Sequence, residues 1–227
     1  CVINDYFDRA FDPHVQRTRN RPLAMGDVST REALILFAAL MMVALGLLLT
    51  LNRQAIVLGF IGAAIAISYP LFKRFTHLPQ LFLGIAFSWG IPMAFAAQTG
   101  RVPALAWWIL CANLLGTVAY DTMYEMADRP DDLKIGVKST AILFGRYDLL
   151  ANAVLQALAL TVLGIIGWGL HLSSWYYLGL FGAAVTAGYQ YRLCRGRDRD
   201  MCLKAFINNT WFGACVFAGL VVSFRLN

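Results

Sequence analysis

Leu149–Leu170 reads LLANAVLQALALTVLGIIGWGL, an uncharged run of 22 residues. The hydrocarbon core of a bilayer is about 30 Å thick, and a helix rising 1.5 Å per residue crosses it in roughly 20 residues. Comparable uncharged stretches lie at 33–52, 55–72, 80–98, 102–120, 172–191 and 205–224, which makes seven in all. Glycine and proline inside them, such as Pro70, Pro92, Gly164 and Gly167, are tolerated in membrane helices. The expected fold class is all-α, a polytopic transmembrane helical bundle in which residues 1–227 form one domain.

Composition agrees. Of 227 residues, 59% are hydrophobic and 14% charged, with a mean hydropathy of +0.60. A soluble domain has roughly a quarter charged residues, so a soluble enzyme, a disordered tail and a disulfide-stapled secreted domain all fit poorly. The net charge of +6 does not indicate nucleic acid, because the basic residues sit in short loops between spans. The five cysteines, Cys1, Cys111, Cys194, Cys202 and Cys215, show no metal-binding spacing and read as small buried hydrophobes. The chain begins with Cys1 inside what reads as a motif, so the true N-terminus is expected upstream.

Threading the chain through seven spans places 16 of the 19 basic residues on one side, which should be cytoplasmic by the positive-inside rule. Only Arg53, Arg101 and Arg225 fall on the other. All 13 acids also lie on the basic side. Topogenic sorting acts on Lys and Arg and barely on Asp and Glu, so the carboxylates there call for a use.

They form two main clusters. In Asn4-Asp5-Tyr6-Phe7-Asp8-Arg9-Ala10-Phe11-Asp12, Asn4, Asp8 and Asp12 are four apart and Asp5 precedes Asp8 by three, which puts all four on one face of a helix. Like charges so placed repel unless a cation sits among them, and carboxylates beside an amide oxygen suit Mg²⁺. Taken alone, a solvated acidic helix end explains this cluster as well as a metal does. The second cluster is Asp121-Thr122-Met123-Tyr124-Glu125-Met126-Ala127-Asp128-Arg129-Pro130-Asp131-Asp132. Tyr124, Asp128 and Asp132 repeat the four-residue spacing, and Asp121–Glu125 adds a second pair. Pro130 is expected to end or bend the helix near Arg129 and leave Asp132 in a loop. Four spans separate the clusters, and both leave a span on the same side, as an internal repeat would. Two such clusters favour metal–diphosphate chemistry, with Asn4, Asp5, Asp8, Asp12, Asp121, Asp128 and Asp132 as candidate Mg²⁺ ligands. Among the interleaved basic residues, Arg21, Lys73, Arg74 and Lys134 are the candidate substrate-binding cations.

These stretches resemble a known family. Asn4-Asp5-x-x-Asp8-x-x-x-Asp12 matches the NDxxDxxxD motif of the UbiA family of intramembrane aromatic prenyltransferases, and Tyr124-x-x-x-Asp128-x-x-x-Asp132 matches its second motif. Arg17–Leu23 and Tyr69–Gln80 are also similar, and Asp128–Ala141 resembles the 4-hydroxybenzoate polyprenyltransferase branch. The resemblance implies nine membrane helices. Seven are visible here, so helix one and most of helix two are expected to be missing, with residues 1–12 the cytoplasmic end of helix two. A chain so shortened is expected to be inactive alone.

By the same resemblance the activity is Mg²⁺-dependent transfer of a polyprenyl group from polyprenyl diphosphate to the carbon ortho to the hydroxyl of 4-hydroxybenzoate. That is a membrane step of ubiquinone biosynthesis at the bacterial inner membrane, with the site facing the cytoplasm. Asp5, Asp8, Asp128 and Tyr124 take the catalytic roles. Tyr69, Phe72 and Tyr124 lie near enough to face an allylic cation, although interfacial belt aromatics look the same. Arg74 is the candidate partner for the acceptor's carboxylate. His14, His77 and His171 have no partner at ligand spacing. Other acceptors, such as a naphthoate, homogentisate or haem, stay open. A divalent-cation transporter would place ionisable residues at mid-membrane, and no span centre carries one.

Overall fold

The computed structural model describes residues 1–226, which contain helices and loops and no strand. The helices are α1 (Val2–Asp8), α2 (Pro22–Met25), α3 (Thr30–Leu48), α4 (Arg53–Ser68), α5 (Pro79–Ser88), α6 (Gly90–Thr99), α7 (Ala104–Ile135), α8 (Thr140–Phe144), α9 (Asp148–Gly169), α10 (Ser174–Cys194) and α11 (Arg199–Arg225). Short 3₁₀ turns at Asp12–His14, Tyr69–Arg74 and Gly145–Tyr147 connect some of them.

The long helices start and stop where local chemistry directs. Ser29 and Glu32 form a reciprocal capping box at the head of α3. Asn52 caps α4 by accepting from Ala55 N at 3.0 Å, and its amide donates to Ala96 O at 2.6 Å, which ties that turn to the end of α6. The span expected at 80–98 is two helices with a break at Trp89. Pro92 cannot donate to the Ser88 carbonyl, so the ladder is interrupted there. α10 and α11 cross at bare backbone: a Cβ on Gly179 would lie 2.6 Å from Cys215 O and 2.8 Å from Gly219 Cα. Small residues permit such close approach where no hydrophobic force drives helices together.

Six helical segments among the described residues are long and apolar enough to cross a membrane. The seventh expected span is α10. It has the length, 21 residues, but carries Gln190, Arg192 and four tyrosines.

α7 differs most from expectation. The span was expected to end at 120 and the acidic stretch to leave the helix near Pro130; instead α7 runs unbroken for 32 residues and stops at Gly136, which takes the left-handed conformation (φ 72°). At 1.5 Å per residue it is about 48 Å long, well beyond the hydrocarbon thickness. The surplus is the segment that carries Asp121 to Asp132. Asp132 is therefore helical and buried rather than in a loop. Pro130 removes one helical hydrogen bond, but packing on both flanks carries the helix through it. Beneath this extension Met123, Met126, Ala127, Ala141, Cys194, Cys202 and Ala205 form a buried apolar cluster. All five cysteines are free thiols.

Candidate active site

The extension of α7 and the short α1 meet around a cavity of about 440 Å³. Asn4, Asp8 and Asp12 line it from the N-terminal side, and Asp121, Tyr124, Glu125, Asp128 and Asp132 from α7. α1 ends at Asp8 and Asp12 begins a 3₁₀ turn, so the first motif is not one continuous helix face. Asp12 nevertheless turns back to the same cavity, where its carbonyl accepts from the Thr18 hydroxyl at 3.0 Å.

Residues more than a hundred positions apart hold the two motifs together. Arg17 Nε and Nη2 donate to Asp128 Oδ2 at 3.1 and 2.8 Å, and the guanidinium lies 4.1 Å from the Tyr124 ring centre. Gln16 N donates to Asp131 Oδ2 at 3.2 Å. Arg199, at the head of α11, bridges Gln16 Oε1 at 2.8 Å and Asp131 Oδ2 at 2.9 Å. Lys138 N donates to Lys73 O at 3.3 Å. Within the first motif, Asn4 Nδ2 donates to Asp8 Oδ2 at 3.1 Å, and Lys73 forms an ion pair with Asp8. The Tyr69 hydroxyl donates to Asn4 Oδ1 at 3.5 Å.

The cavity lining holds six carboxylates (Asp8, Asp12, Asp121, Glu125, Asp128, Asp132) and three basic side chains (Arg17, Lys73, Lys138), a formal excess of three negative charges. Burial pushes the Asp12 carboxyl above its ordinary range, and Arg21 beside it only partly offsets this. For Arg17, burial works against the charged form, but the bond to Asp128 together with the charges of Tyr124, Asp128 and Glu125 outweighs it and holds the guanidinium charged.

The other expected site residues lie outside the lining. Asp5 sits at the edge, paired with Arg21 at 2.8 Å, and Arg21 also reaches Asp12 at 3.1 Å. Arg74 is exposed and donates to Phe7 O at 2.6 Å. The Lys134 side chain is 75% exposed and, among the described residues, forms an ion pair with Asp131 at 3.5 Å. It follows Asp131 by three residues, on the outer face of α7. Phe72 stacks on Phe82 instead of facing the cavity. Conversely, Arg17, Gln80, Glu125, Lys138 and Phe206 line the cavity without having been singled out. The Asp121–Glu125 spacing pointed to Glu125, whereas nothing in sequence separated Arg17 from its topogenic neighbours.

Among the described residues, no three carboxylate, histidine or cysteine groups stand close enough together to hold one metal ion. Basic side chains lie against Asp8 and Asp128 instead. Each of these carboxylates still has an oxygen to spare. Asp8 Oδ1, Asp128 Oδ1 and Asp132 Oδ2 are buried without a hydrogen-bond partner. A buried carboxylate oxygen left unpaired is costly, and hard anionic oxygens are what Mg²⁺ binds. The donor set fits that ion.

The model of the UbiA prenyltransferase family matches residues 1–218. The chain belongs to the UbiA prenyltransferase family. It is 53% identical over 223 residues to the 4-hydroxybenzoate octaprenyltransferase of Xanthomonas euvesicatoria pv. vesicatoria (strain 85-10), covering 98% of this chain and 74% of that relative. The apo structure of a UbiA homolog from Aeropyrum pernix K1 superposes with a TM-score of 0.83 at 27% identity, covering 98% of this prenyltransferase and 83% of that chain. A UbiA homolog from Archaeoglobus fulgidus, solved with GPP and Mg²⁺ bound, shares the fold at a TM-score of 0.59 and 19% identity, covering 99% and 81%. The helical membrane bundle and the prenyltransferase class expected from the motifs are both borne out.

Proposed function

We propose that this prenyltransferase moves a polyprenyl group from its diphosphate to the ring carbon ortho to the hydroxyl of 4-hydroxybenzoate, in a step that serves ubiquinone biosynthesis. The observation that carries the proposal is the convergence of two carboxylate motifs on one cavity with three negative charges in excess. A trianionic diphosphate is repelled by such a wall unless cations accompany it. The acceptor is supported by the activity for which the 53% identical relative is named.

Asn4, Asp8 and Asp12 on one side and Asp121, Asp128 and Asp132 on the other would hold Mg²⁺, with Asp5 kept at the rim by Arg21. Bound there, Mg²⁺ supplies charge neutralisation to the diphosphate as it leaves. The protein's own cations act on the same group. Arg17 and Lys73 rest against Asp128 and Asp8, so a diphosphate entering between the motifs exchanges protein carboxylates for phosphate oxygens as their partners. The allylic carbon gains positive charge as its C–O bond breaks, and Tyr124, Tyr69 and Phe206, whose rings can stabilise a cation, line the cavity. Water must be kept from that carbon, and Arg17 and Thr18 of the loop after the first motif line the cavity. The ortho carbon then bonds to the allylic carbon and loses its proton. Arg74 and Lys138 are near the cavity and pair with backbone carbonyls rather than carboxylates, so we assign them the acceptor's carboxylate. The excess of Lys and Arg on the motif-bearing side supports a site at the cytoplasmic face of an inner membrane.

The test is an acceptor panel. With one polyprenyl diphosphate and Mg²⁺, 4-hydroxybenzoate is expected to yield a lipid-extractable product, while naphthoate and homogentisate acceptors stay near background. Preference for another ring overturns the acceptor assignment.

A further inference from the structure

Neither motif contains Glu125, yet its carboxylate faces the same cavity. Asp121, Glu125, Asp128 and Asp132 follow one another on α7 at intervals of four, three and four residues, so they form a single stripe, and all four line the cavity. Glu125 pairs with no Lys, Arg or His among the described residues. What its carboxyl does meet is Asp132, within hydrogen-bond reach. Two carboxylates in contact repel unless a proton or a cation lies between them. Beside the pair, Asp132 Oδ2 and Asp128 Oδ1 are the buried oxygens that have no partner. An anionic stripe, a glutamate that forms no ion pair among the described residues and two unpaired buried oxygens all occur at one place on one helix.

From this geometry we infer that Glu125 is a further ligand to a hard divalent cation held by the second motif, sharing that ion with Asp132. A long, flexible carboxylate next to the more rigid aspartates suits an ion that keeps several waters and part of a phosphate in its shell. The inference rests on the Mg²⁺ reading proposed above and adds to it one residue that neither motif names.

The experiment titrates Mn²⁺, as a stand-in for Mg²⁺, into the purified, lipid-reconstituted protein and measures free Mn²⁺ by electron paramagnetic resonance. Glu125→Gln is expected to weaken Mn²⁺ binding about tenfold with an unchanged melting temperature, and Asp128→Asn to weaken it further. The loss should persist in 1 M salt, where the screening length is only about 3 Å. A loss that disappears at 1 M salt marks a remote charge effect and overturns ligation by Glu125. So does wild-type affinity in Glu125→Gln. If the wild type binds no Mn²⁺, or Asp128→Asn binds it normally, the metal reading of the whole site fails. Should Glu125→Gln lose its fold, Glu125→Asp replaces it. The shorter arm withdraws the carboxylate from Asp132, so a similar loss is expected and unchanged affinity overturns the proposal.

Discussion

Two ionic clusters lie at the same end of this molecule, and their carboxylates are treated in opposite ways. Asp148, at the head of α9, is fully buried (0% exposed). Arg197 donates to its Oδ1 from Nη2 at 2.7 Å and to its Oδ2 from Nε at 3.0 Å; Arg129 reaches Oδ2 at 2.7 Å, and Leu149 N reaches Oδ1 at 2.7 Å. Arg129 also donates to the carbonyls of Ala141 and Gly145. Arg197 adopts a left-handed conformation (φ 53°), uncommon for a side-chain-bearing residue, in making this contact. In the cavity, by contrast, Asp8, Asp128 and Asp132 each keep a buried oxygen without a partner. Both Asp148 oxygens are saturated, as befits a clamp joining α7, α9 and the α10–α11 turn. The cavity carboxylates are left open, as befits groups that wait for a ligand. Burial alone does not separate the two roles, but hydrogen-bond accounting does.

Removing an open carboxylate should cost activity far more than stability. Asp8→Ala or Asp128→Ala is expected to lower incorporation of labelled 4-hydroxybenzoate into lipid-extractable product by on the order of 10²–10³-fold, a typical cost for losing one transition-state stabiliser. Membrane insertion should hold, and the melting temperature should fall far less than on removal of Asp148, because the partners Arg17 and Lys73 are part-exposed. Near-normal rates in either variant break the comparison from the functional side.

Removing the saturated carboxylate should do the reverse. Asp148→Ala leaves two arginines without their partner and is expected to destabilise the fold by about 3–5 kcal/mol. Thermal unfolding in lipid should show it, while the specific activity of the protein that remains folded stays within a few-fold of normal. An unchanged melting temperature would mean that the clamp carries no load.

Two lysines sharpen the contrast. Lys73 pairs with Asp8 inside the cavity, so Lys73→Ala is expected to raise the KM for polyprenyl diphosphate about tenfold, near the 1.4 kcal/mol that a tenfold change represents. Lys134 stands in solvent on the outer face of α7, and Lys134→Ala should change KM and kcat by less than about twofold, as exposed ion pairs predict.

Much of this was legible beforehand because membrane helices advertise themselves by length. The uncharged runs located the long helices to within a few residues, apart from the break between α5 and α6, the head of α11 at Arg199 and the distal end of α7. That end was missed for a physical reason: a helix that leaves the hydrocarbon no longer needs apolar residues, so its polar continuation past Arg129 to Ile135 carries no length signal. Pro130 reinforced the error, since proline breaks isolated helices more readily than packed ones. Motif spacing grouped Asn4 with Asp8, and Asp121 and Asp128 with Asp132, as helical periodicity requires, whereas Asp12 reaches the same cavity through a 3₁₀ turn. The basic residues were less legible. Arg17, Lys134 and Arg74 are alike as sequence, and only the tertiary placement of the 12–21 segment against α7 distinguishes the cavity-lining cation from the exposed ones.

The central claim is that two distant motifs act as one cation-dependent diphosphate site. Calorimetric titration of polyprenyl diphosphate into the lipid-reconstituted protein, with and without Mg²⁺, tests it most directly, using the wild type, Asp8→Asn and Asp128→Asn. Binding should require Mg²⁺ and be lost in both variants alike. Binding of equal strength without Mg²⁺, or loss in one variant while the other binds normally, would contradict it.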